Sequence, residues 1–99
     1  MKINVAINGF GRIGRSILRI SVEKDLDINV VAINDLGDYE NLAYLFKHDS
    51  IMGVLDAEIT IKKDILKIND RDIKLISISD PSELPWKDLN VEIVVESTG

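Results

Sequence analysis

Two short apolar runs, and the spacing between them, predict how the chain begins. The runs are Ile3–Asn8 and Ile28–Ile33, and both are nearly continuous and rich in β-branched residues. Such runs are typical of strands that are buried on both faces of a parallel sheet. Between them, apolar residues recur at helical spacing, at Ile13, Ile17 and Ile20, which predicts one face of an amphipathic helix. Strand, helix and strand together predict a βαβ unit with a right-handed crossover.

The patterns become shorter beyond the second run. Residues Asn41–Lys47 predict a short helix with Asp38 as its N-cap. Alternating segments separated by charged turns then predict hairpin-linked strands. These segments are Ile59–Ile61, Ile65–Ile68 and Ile73–Ile78, and a last apolar strand is expected at Val91–Val95. We therefore predict an α/β fold, the N-terminal part of a Rossmann-type doubly wound parallel sheet. Its expected strand order is 3-2-1-4, with the third hairpin segment as strand 3 and the last strand as strand 4.

Length and composition narrow the classes of protein to which the chain can belong. A chain of 99 residues makes at most one small domain. Its net charge is −5 and no segment concentrates basic residues, so we expect no nucleic-acid partner. The arginines after the first turn, Arg12, Arg15 and Arg19, are expected on the polar side of the helix. We find no signal peptide and no apolar stretch of membrane-spanning length, which favours a cytoplasmic protein without a membrane partner.

Three glycines between the first strand and the helix form the motif that carries chemistry. Gly9, Gly11 and Gly14 match the dinucleotide-binding spacing, in which a pyrophosphate sits against the start of the helix. We expect Gly9 to allow the tight turn, Gly11 to let the phosphates approach, and Gly14 to let the helix pack against the strands. Asp35 ends the second strand about 20 residues further on, where a carboxylate can accept both ribose hydroxyls. An acid there repels a 2′-phosphate, so NAD is favoured over NADP. The alternative is a glycine-rich turn without a ligand.

The segment around these glycines resembles the opening of glyceraldehyde-3-phosphate dehydrogenases. The likeness is nearly letter for letter over Ala6–Arg15, and it continues in order to the end of the chain. The further matching segments are Val31–Asp35, Lys47–Ser50, Asp80-Pro81, Leu84–Trp86 and Val94–Gly99.

This resemblance implies roles for particular residues in binding NAD. Arg12 and Ile13 would contact the pyrophosphate through their backbone, and Asp35 would hold the adenosine ribose. Thr98 and Gly99 would lie beside the cofactor where the fourth strand ends. The family often has a basic residue flanking the adenine just before its Asp-Pro, and here that position is Ser79. A second departure is Met52-Gly53, where the family usually has His-Gly.

The resemblance also implies a reaction: phosphorylating oxidation of glyceraldehyde 3-phosphate to 1,3-bisphosphoglycerate in glycolysis and gluconeogenesis. Members of the family carry a catalytic cysteine and a substrate domain, and this chain contains no cysteine. We therefore expect residues 1–99 to be an incomplete NAD-binding domain, a fragment that is inactive alone. The parent would be a homotetramer that binds its phosphorylated aldehyde through the missing domain. Two alternatives stay open: erythrose-4-phosphate dehydrogenase, and a stand-alone nucleotide-binding module without catalysis.

The remaining candidates for chemistry have simpler explanations. His48 is the only histidine and lacks an assignable partner, so a surface position is favoured over a catalytic or metal-binding one. No cluster of residues has the spacing of metal ligands, and we expect no metal site. Glu96 could act as a general base, but hydrogen bonding to neighbouring backbone at a buried strand end is favoured. We therefore expect no catalytic residue in this chain.

Overall fold

A six-stranded sheet organises the chain in the computed structural model, which describes residues 2–24, 27–49, 53–55 and 57–98. The helices are α1 (Arg12–Glu23) and α2 (Tyr39–Lys47), and one turn of 3₁₀-helix covers Pro81–Glu83. The strands are β1 (Ile3–Asn8), β2 (Ile28–Asn34), β3 (His48–Asp49), β4 (Gly53–Val54), β5 (Ile59–Lys62), β6 (Ile65–Ile68), β7 (Arg71–Ile76) and β8 (Ile93–Glu96). The short strands β3 and β4 pair with each other outside the main sheet.

The main sheet has the order β5-β6-β7-β2-β1-β8. Strands β7, β2, β1 and β8 are parallel, and they have the predicted order 3-2-1-4. Strand β6 pairs antiparallel with β7, and β5 pairs antiparallel with β6, so these two strands extend the sheet beyond the predicted order. The sheet is therefore mixed, because the hairpin connections allow antiparallel pairing while the helical crossover forces parallel pairing. The predicted Rossmann-type α/β fold is confirmed, with this addition.

Strand β1 lies in the middle of the parallel part because its side chains are apolar on both faces. Val5, Ala6 and Ile7 are buried, and β1 pairs with β2 on one side and β8 on the other. Ile7 belongs to the larger core on the helix side, which includes Leu18 and Phe46. Ala6 belongs to a smaller core on the opposite face. A continuous apolar run thus indicates a strand whose two faces are both buried by other parts of the chain.

The smaller core explains the loop that leads into β8. Trp86 and Leu89 pack against Ala6 and Ala32 on the face of the sheet opposite the larger core. The backbone of this loop is tied by a hydrogen bond from Val91 N–H to the Trp86 carbonyl, 2.9 Å long. Strand β8 therefore begins two residues later than the sequence predicted.

The face of α1 that packs on the sheet differs from the predicted one. The residues of α1 that the fold buries are Gly14, Leu18, Arg19 and Ser21. Ile13 is 63% exposed and Ile20 37% exposed, although both were expected on one apolar face. Gly14 is the reason, because a Cβ there would lie only 2.6 Å from Ile7 Cγ2. The helix turns its smallest side chain to the sheet and approaches closely, which rotates the isoleucines outward.

Arg19 was expected on the polar side of α1 but is 4% exposed. Its guanidinium donates hydrogen bonds to the Gly53 carbonyl and, through Nε at 2.9 Å, to Glu23 Oε1. The charge is thus paired, as burial of an arginine requires. Neither helix of the described residues has the length and apolar character that crossing a membrane needs.

Helix α2 begins two residues before the predicted start. Asp38 occupies the N-cap position as expected, but its side chain makes no capping hydrogen bond. His48 follows the helix and is exposed, with its ring 4.5 Å from that of Tyr44 between centroids. The surface position predicted for this histidine is therefore confirmed.

A pH-dependent ion pair connects the turn after β5 with β7. Lys74 Nζ donates to Asp64 Oδ2, and this bond holds the pKa of the Asp64 carboxyl below its usual value. A depressed pKa stabilises the fold above the ordinary carboxyl range, and the contribution is lost as the pH falls through the folded-state pKa. We expect Asp64→Asn to lower the free energy of unfolding slightly at neutral pH. On acidification, the variant should lose less stability than the natural protein. Thermal unfolding from neutral pH to about pH 2 measures this difference. Equal losses in the two proteins would contradict it.

Candidate functional site

A cleft of about 510 Å³ opens at the carboxyl ends of β1, β2 and β8. Its lining comes from four stretches of chain, residues 8–11, 34–36, 78–79 and 96–98, together with Leu84. Strand order reverses at β1, which has β2 on one side and β8 on the other. In open α/β sheets, ligands bind at the carboxyl ends of the strands at such a switch point.

The glycine turn is shaped by its contacts with the end of β8. Gly9 has a φ of +86°, and a Cβ there would lie 2.6 Å from Thr98 Cα and 2.7 Å from Thr98 N. A Cβ at Gly11 would lie 2.6 Å from the Ser97 carbonyl oxygen. Since these neighbours are backbone atoms, neither position accommodates a side chain. Position 11 therefore requires glycine because of its contact with Ser97. The sequence had suggested glycine there only because a phosphate must come close.

The backbone of Phe10, in the middle of the turn, is held by hydrogen bonds at both its N–H and its carbonyl. Its N–H donates to Asp35 Oδ2 at 2.8 Å, and its carbonyl accepts from Arg15 Nη1 at 3.0 Å. Asp35 Oδ1 also accepts from Gly37 N–H at 2.8 Å. The ring of Phe10 is buried, 5.8 Å from that of Phe46 between centroids. Asp35 is therefore both a carboxylate beside the cleft and an anchor of the turn.

A chain of polar side chains crosses the carboxyl ends of three strands. Asn34 pairs with the backbone of Ile78, accepting from its N–H at 2.9 Å and donating to its carbonyl at 3.0 Å. The Asn34 amide also donates to Asn8 Oδ1 at 2.9 Å, and Asn8 Nδ2 donates to the Glu96 carboxylate at 3.0 and 3.2 Å. This chain fixes the segment that carries Ser79 relative to β1 and β8.

Glu96 thus has a structural partner, but the partner is a side chain rather than backbone. Glu96 is also exposed, so the expectation of a buried strand end was wrong. Sequence reasoning did not predict that these side chains hydrogen-bond to one another. The available signal was that Asn8, Asn34 and Glu96 each end a strand of a parallel sheet, where side chains of neighbouring strands meet.

The segment after Ser79 is stabilised locally. Asp80 Oδ1 accepts from the N–H and the hydroxyl of Ser82, at 3.0 and 2.8 Å. These two bonds hold the pKa of the Asp80 carboxyl below its usual value, with the hydroxyl contributing most. Ser79 itself is exposed at the edge of the cleft. Its short side chain leaves that edge open.

The amino-acid sequence of the chain is similar to those of known proteins. Residues 3–99 match the model of the glyceraldehyde 3-phosphate dehydrogenase NAD-binding domain. The chain is 50% identical over its whole length to glyceraldehyde-3-phosphate dehydrogenase 2 of Streptomyces avermitilis, of which it covers 30%. It is 48% identical, again over its whole length, to glyceraldehyde-3-phosphate dehydrogenase of Geobacillus stearothermophilus, covering 29% of it. The chloroplastic enzyme of Chondrus crispus is 45% identical, with 24% covered.

The chain belongs to the glyceraldehyde-3-phosphate dehydrogenase NAD-binding domain family. It spans less than a third of the length of these curated relatives. NAD is the cofactor of this domain family, as predicted.

The structure brings most of the predicted site residues together. Those that line the cleft are Gly9, Gly11, Asp35, Ser79 and Thr98. Arg12, Ile13 and Gly14 form the first turn of α1, directly after the cleft-lining part of the glycine turn. Gly99 lies outside the described residues. Among the described residues, no group of histidine, cysteine or carboxylate side chains is arranged to hold a metal ion.

Proposed function

We propose that residues 1–99 form an incomplete NAD-binding domain of a phosphorylating glyceraldehyde-3-phosphate dehydrogenase. The observation that carries this proposal is the cleft at the switch point, which is lined by the glycine turn and by the Asp35 carboxylate bonded to it. The family match along residues 3–99 supports the same conclusion.

The start of α1 fits a pyrophosphate. Arg15 N–H makes the first intrahelical bond, to the Gly11 carbonyl at 2.9 Å. The N–H groups of Arg12 and Ile13 precede that bond, so they have no acceptor within the helix. Together with the positive end of the helix dipole, they form a site for an anion. We assign the pyrophosphate to these two N–H groups, with Gly9, Gly11 and Gly14 giving the turn its shape.

The rest of the dinucleotide would extend along the carboxyl ends of the strands. Asp35 would accept the hydroxyls of the adenosine ribose, and Ser79 would stand beside the adenine without the basic side chain common in the family. Thr98, which approaches Gly9 closely, would lie on the other side of the glycine turn, and we propose Gly99 as a further cofactor-binding residue. When bound, NAD supplies a hydride acceptor for the aldehyde carbon. The chain's own residues hold and orient this acceptor.

The chain has no cysteine and therefore no thiol that could attack an aldehyde. We propose that it has no dehydrogenase activity by itself, and that the thiol and the binding site for the phosphorylated aldehyde come from the rest of the enzyme. We propose further that the whole enzyme is a cytoplasmic homotetramer, as the resemblance of the sequence to the family implies. The net charge of −5 supports a role without nucleic acid.

Cofactor binding is tested by titrating the protein with NAD and NADP in a calorimeter. We expect saturable binding of NAD, displaced by ADP-ribose, because the adenosine and pyrophosphate halves make the contacts assigned above. NADP should bind at least about tenfold more weakly, since its 2′-phosphate would face the Asp35 carboxylate. Equal affinities for the two cofactors, or no saturation with NAD, would contradict the proposed site.

The reaction is tested on the natural protein, purified as cells produce it. We expect reduction of NAD with glyceraldehyde 3-phosphate that requires inorganic phosphate, since the aldehyde is oxidised while phosphate forms the acyl phosphate. Faster reduction with erythrose 4-phosphate would instead identify the related dehydrogenase. Binding of NAD without reduction by either aldehyde would indicate a stand-alone nucleotide-binding module.

A further inference from the structure

Helix α1 starts without a capping side chain of its own. The N-cap residue is Gly11, which has no side chain to hydrogen-bond the first turn. Serine, threonine, aspartate or asparagine usually fills this position and accepts from the N–H two or three residues later. Here the third helical residue is Gly14, and its N–H would need an acceptor from elsewhere.

That acceptor is Ser97, which lies 83 positions later in the sequence. Gly14 N–H donates to Ser97 Oγ at 2.9 Å, and Ser97 is only 8% exposed. The backbone of Ser97 is fixed in turn, because its N–H donates to the Asn8 carbonyl at 2.8 Å. The hydroxyl is therefore held in place by the pairing of β8 with β1 and caps α1 from the neighbouring strand.

The glycine at position 11 and the serine at position 97 depend on each other. A Cβ at Gly11 would lie 2.6 Å from the Ser97 carbonyl oxygen, so the close approach of β8 excludes a conventional capping residue there. Ser97, whose carbonyl excludes a side chain at position 11, also supplies the acceptor for Gly14 N–H through its hydroxyl. The arrangement satisfies the third N–H of the helix, while those of Arg12 and Ile13 have no acceptor within the helix.

We propose that Ser97 is a positioning residue for the pyrophosphate of NAD. Its hydroxyl fixes the first turn of α1 against β8, so that the two preceding N–H groups keep one orientation toward the anion. The inference rests on the proposed placement of NAD in the cleft. It goes beyond that placement because it gives Ser97, which follows β8, a role in aligning the N–H groups of α1. Ser97 exerts this role through its hydrogen bond with Gly14.

The test compares NAD with adenosine, which lacks the pyrophosphate, on Ser97→Ala and Ser97→Cys. The thiol nearly preserves the volume of the hydroxyl but is a weak acceptor, so this second variant keeps the packing if alanine disturbs it. We expect both variants to bind NAD about tenfold more weakly, as for loss of a helix cap that acts on the ligand. Adenosine affinity, measured by NMR titration, should change less than about twofold. Exchange of the Gly14 amide hydrogen should accelerate in both variants.

The matched control is Ser21→Ala, which removes another buried serine hydroxyl from the same structural unit. Ser21 is 1% exposed and donates to the Leu18 carbonyl at 2.7 Å, in the second half of α1. It should lower the melting temperature while leaving the ratio of NAD to adenosine affinity unchanged. If the Ser97 variants also leave that ratio unchanged while natural NAD binding is intact, Ser97 is only structural and the inference is wrong. Failure of the natural protein to bind NAD would instead refute the proposed function.

Discussion

Gly11→Val is expected to abolish measurable NAD binding. Its Cβ would fall 2.6 Å from the Ser97 carbonyl oxygen, which belongs to backbone that is paired with β1 and cannot swing away as a flexible side chain would. The turn would have to move instead, and with it the N–H groups at the start of α1. Gly11→Ala carries the same clash without the extra methyls, and it should cost about 1–3 kcal/mol of stability through overpacking. Calorimetric titration with NAD and thermal unfolding measure the two effects.

The control for a general glycine effect is Gly53→Ala. Gly53 has a φ of +83°, but a Cβ there meets nothing within 4 Å. This variant should lose about 1 kcal/mol or more through backbone strain, since only the left-handed conformation is at issue. Its NAD affinity should stay that of the natural protein, because Gly53 lies outside the cleft. If Gly11→Ala and Gly53→Ala bind NAD equally well, the contact between the turn and β8 does not shape the cofactor site.

The elements that sequence reasoning predicted well are those specified by local pattern. Strands β1 and β2 coincide with continuous apolar runs, and the glycines between β1 and α1 have the spacing of the dinucleotide-binding motif, preceded by a strand and followed by a helix. Asp35 is predicted in the same way, because it comes directly after the second of these strands. In each case the deciding residues are neighbours in sequence, so neither pairing nor packing had to be known.

The failures concern contacts between distant segments. Helical spacing alone placed Ile13 and Ile20 on the core face of α1, but the contact between Gly14 and Ile7 rotates the helix and exposes both. Arg19 is buried because the Gly53 carbonyl and Glu23 accept from its guanidinium, which no helical pattern indicates.

The same limit applies to the site. Two features of the site depend on the pairing of β8 with β1. They are the capping contact of Ser97 and the hydrogen-bonded side chains of Glu96, Asn8 and Asn34. Sequence reasoning predicted that pairing as an order of strands. It did not predict the register, in which Asn8 lies opposite both Asn34 and Glu96. Polar residues at the carboxyl ends of adjacent parallel strands are therefore a signal that becomes useful only once strand order is known.

Asp35→Ala should weaken NAD binding by about 1.5–3 kcal/mol, roughly 10- to 150-fold, through loss of charge-assisted hydrogen bonds to the ribose. The structure adds a second cost, because Phe10 N–H loses its acceptor and the turn loses an anchor. Asp35→Asn removes the negative charge but keeps one of the two acceptor oxygens. The amide oxygen can still accept from Phe10 N–H, whereas the amide nitrogen takes the place of the oxygen that accepts from Gly37 N–H. We expect this variant to keep more of the folding stability than the alanine variant, while both relieve the repulsion of NADP.

The matched control for removing the charge is Asp38→Asn. Asp38 is exposed, lies three residues along the chain, and its side chain makes no capping bond to α2. Its replacement changes the net charge equally and should leave both cofactor affinities within about twofold. Titrations with NAD and NADP on all three variants give the ratio that decides. That ratio should shift toward NADP in both Asp35 variants and stay unchanged in Asp38→Asn. A ratio that stays constant in the Asp35 variants as well would mean that this carboxylate anchors the turn and does not select the ribose.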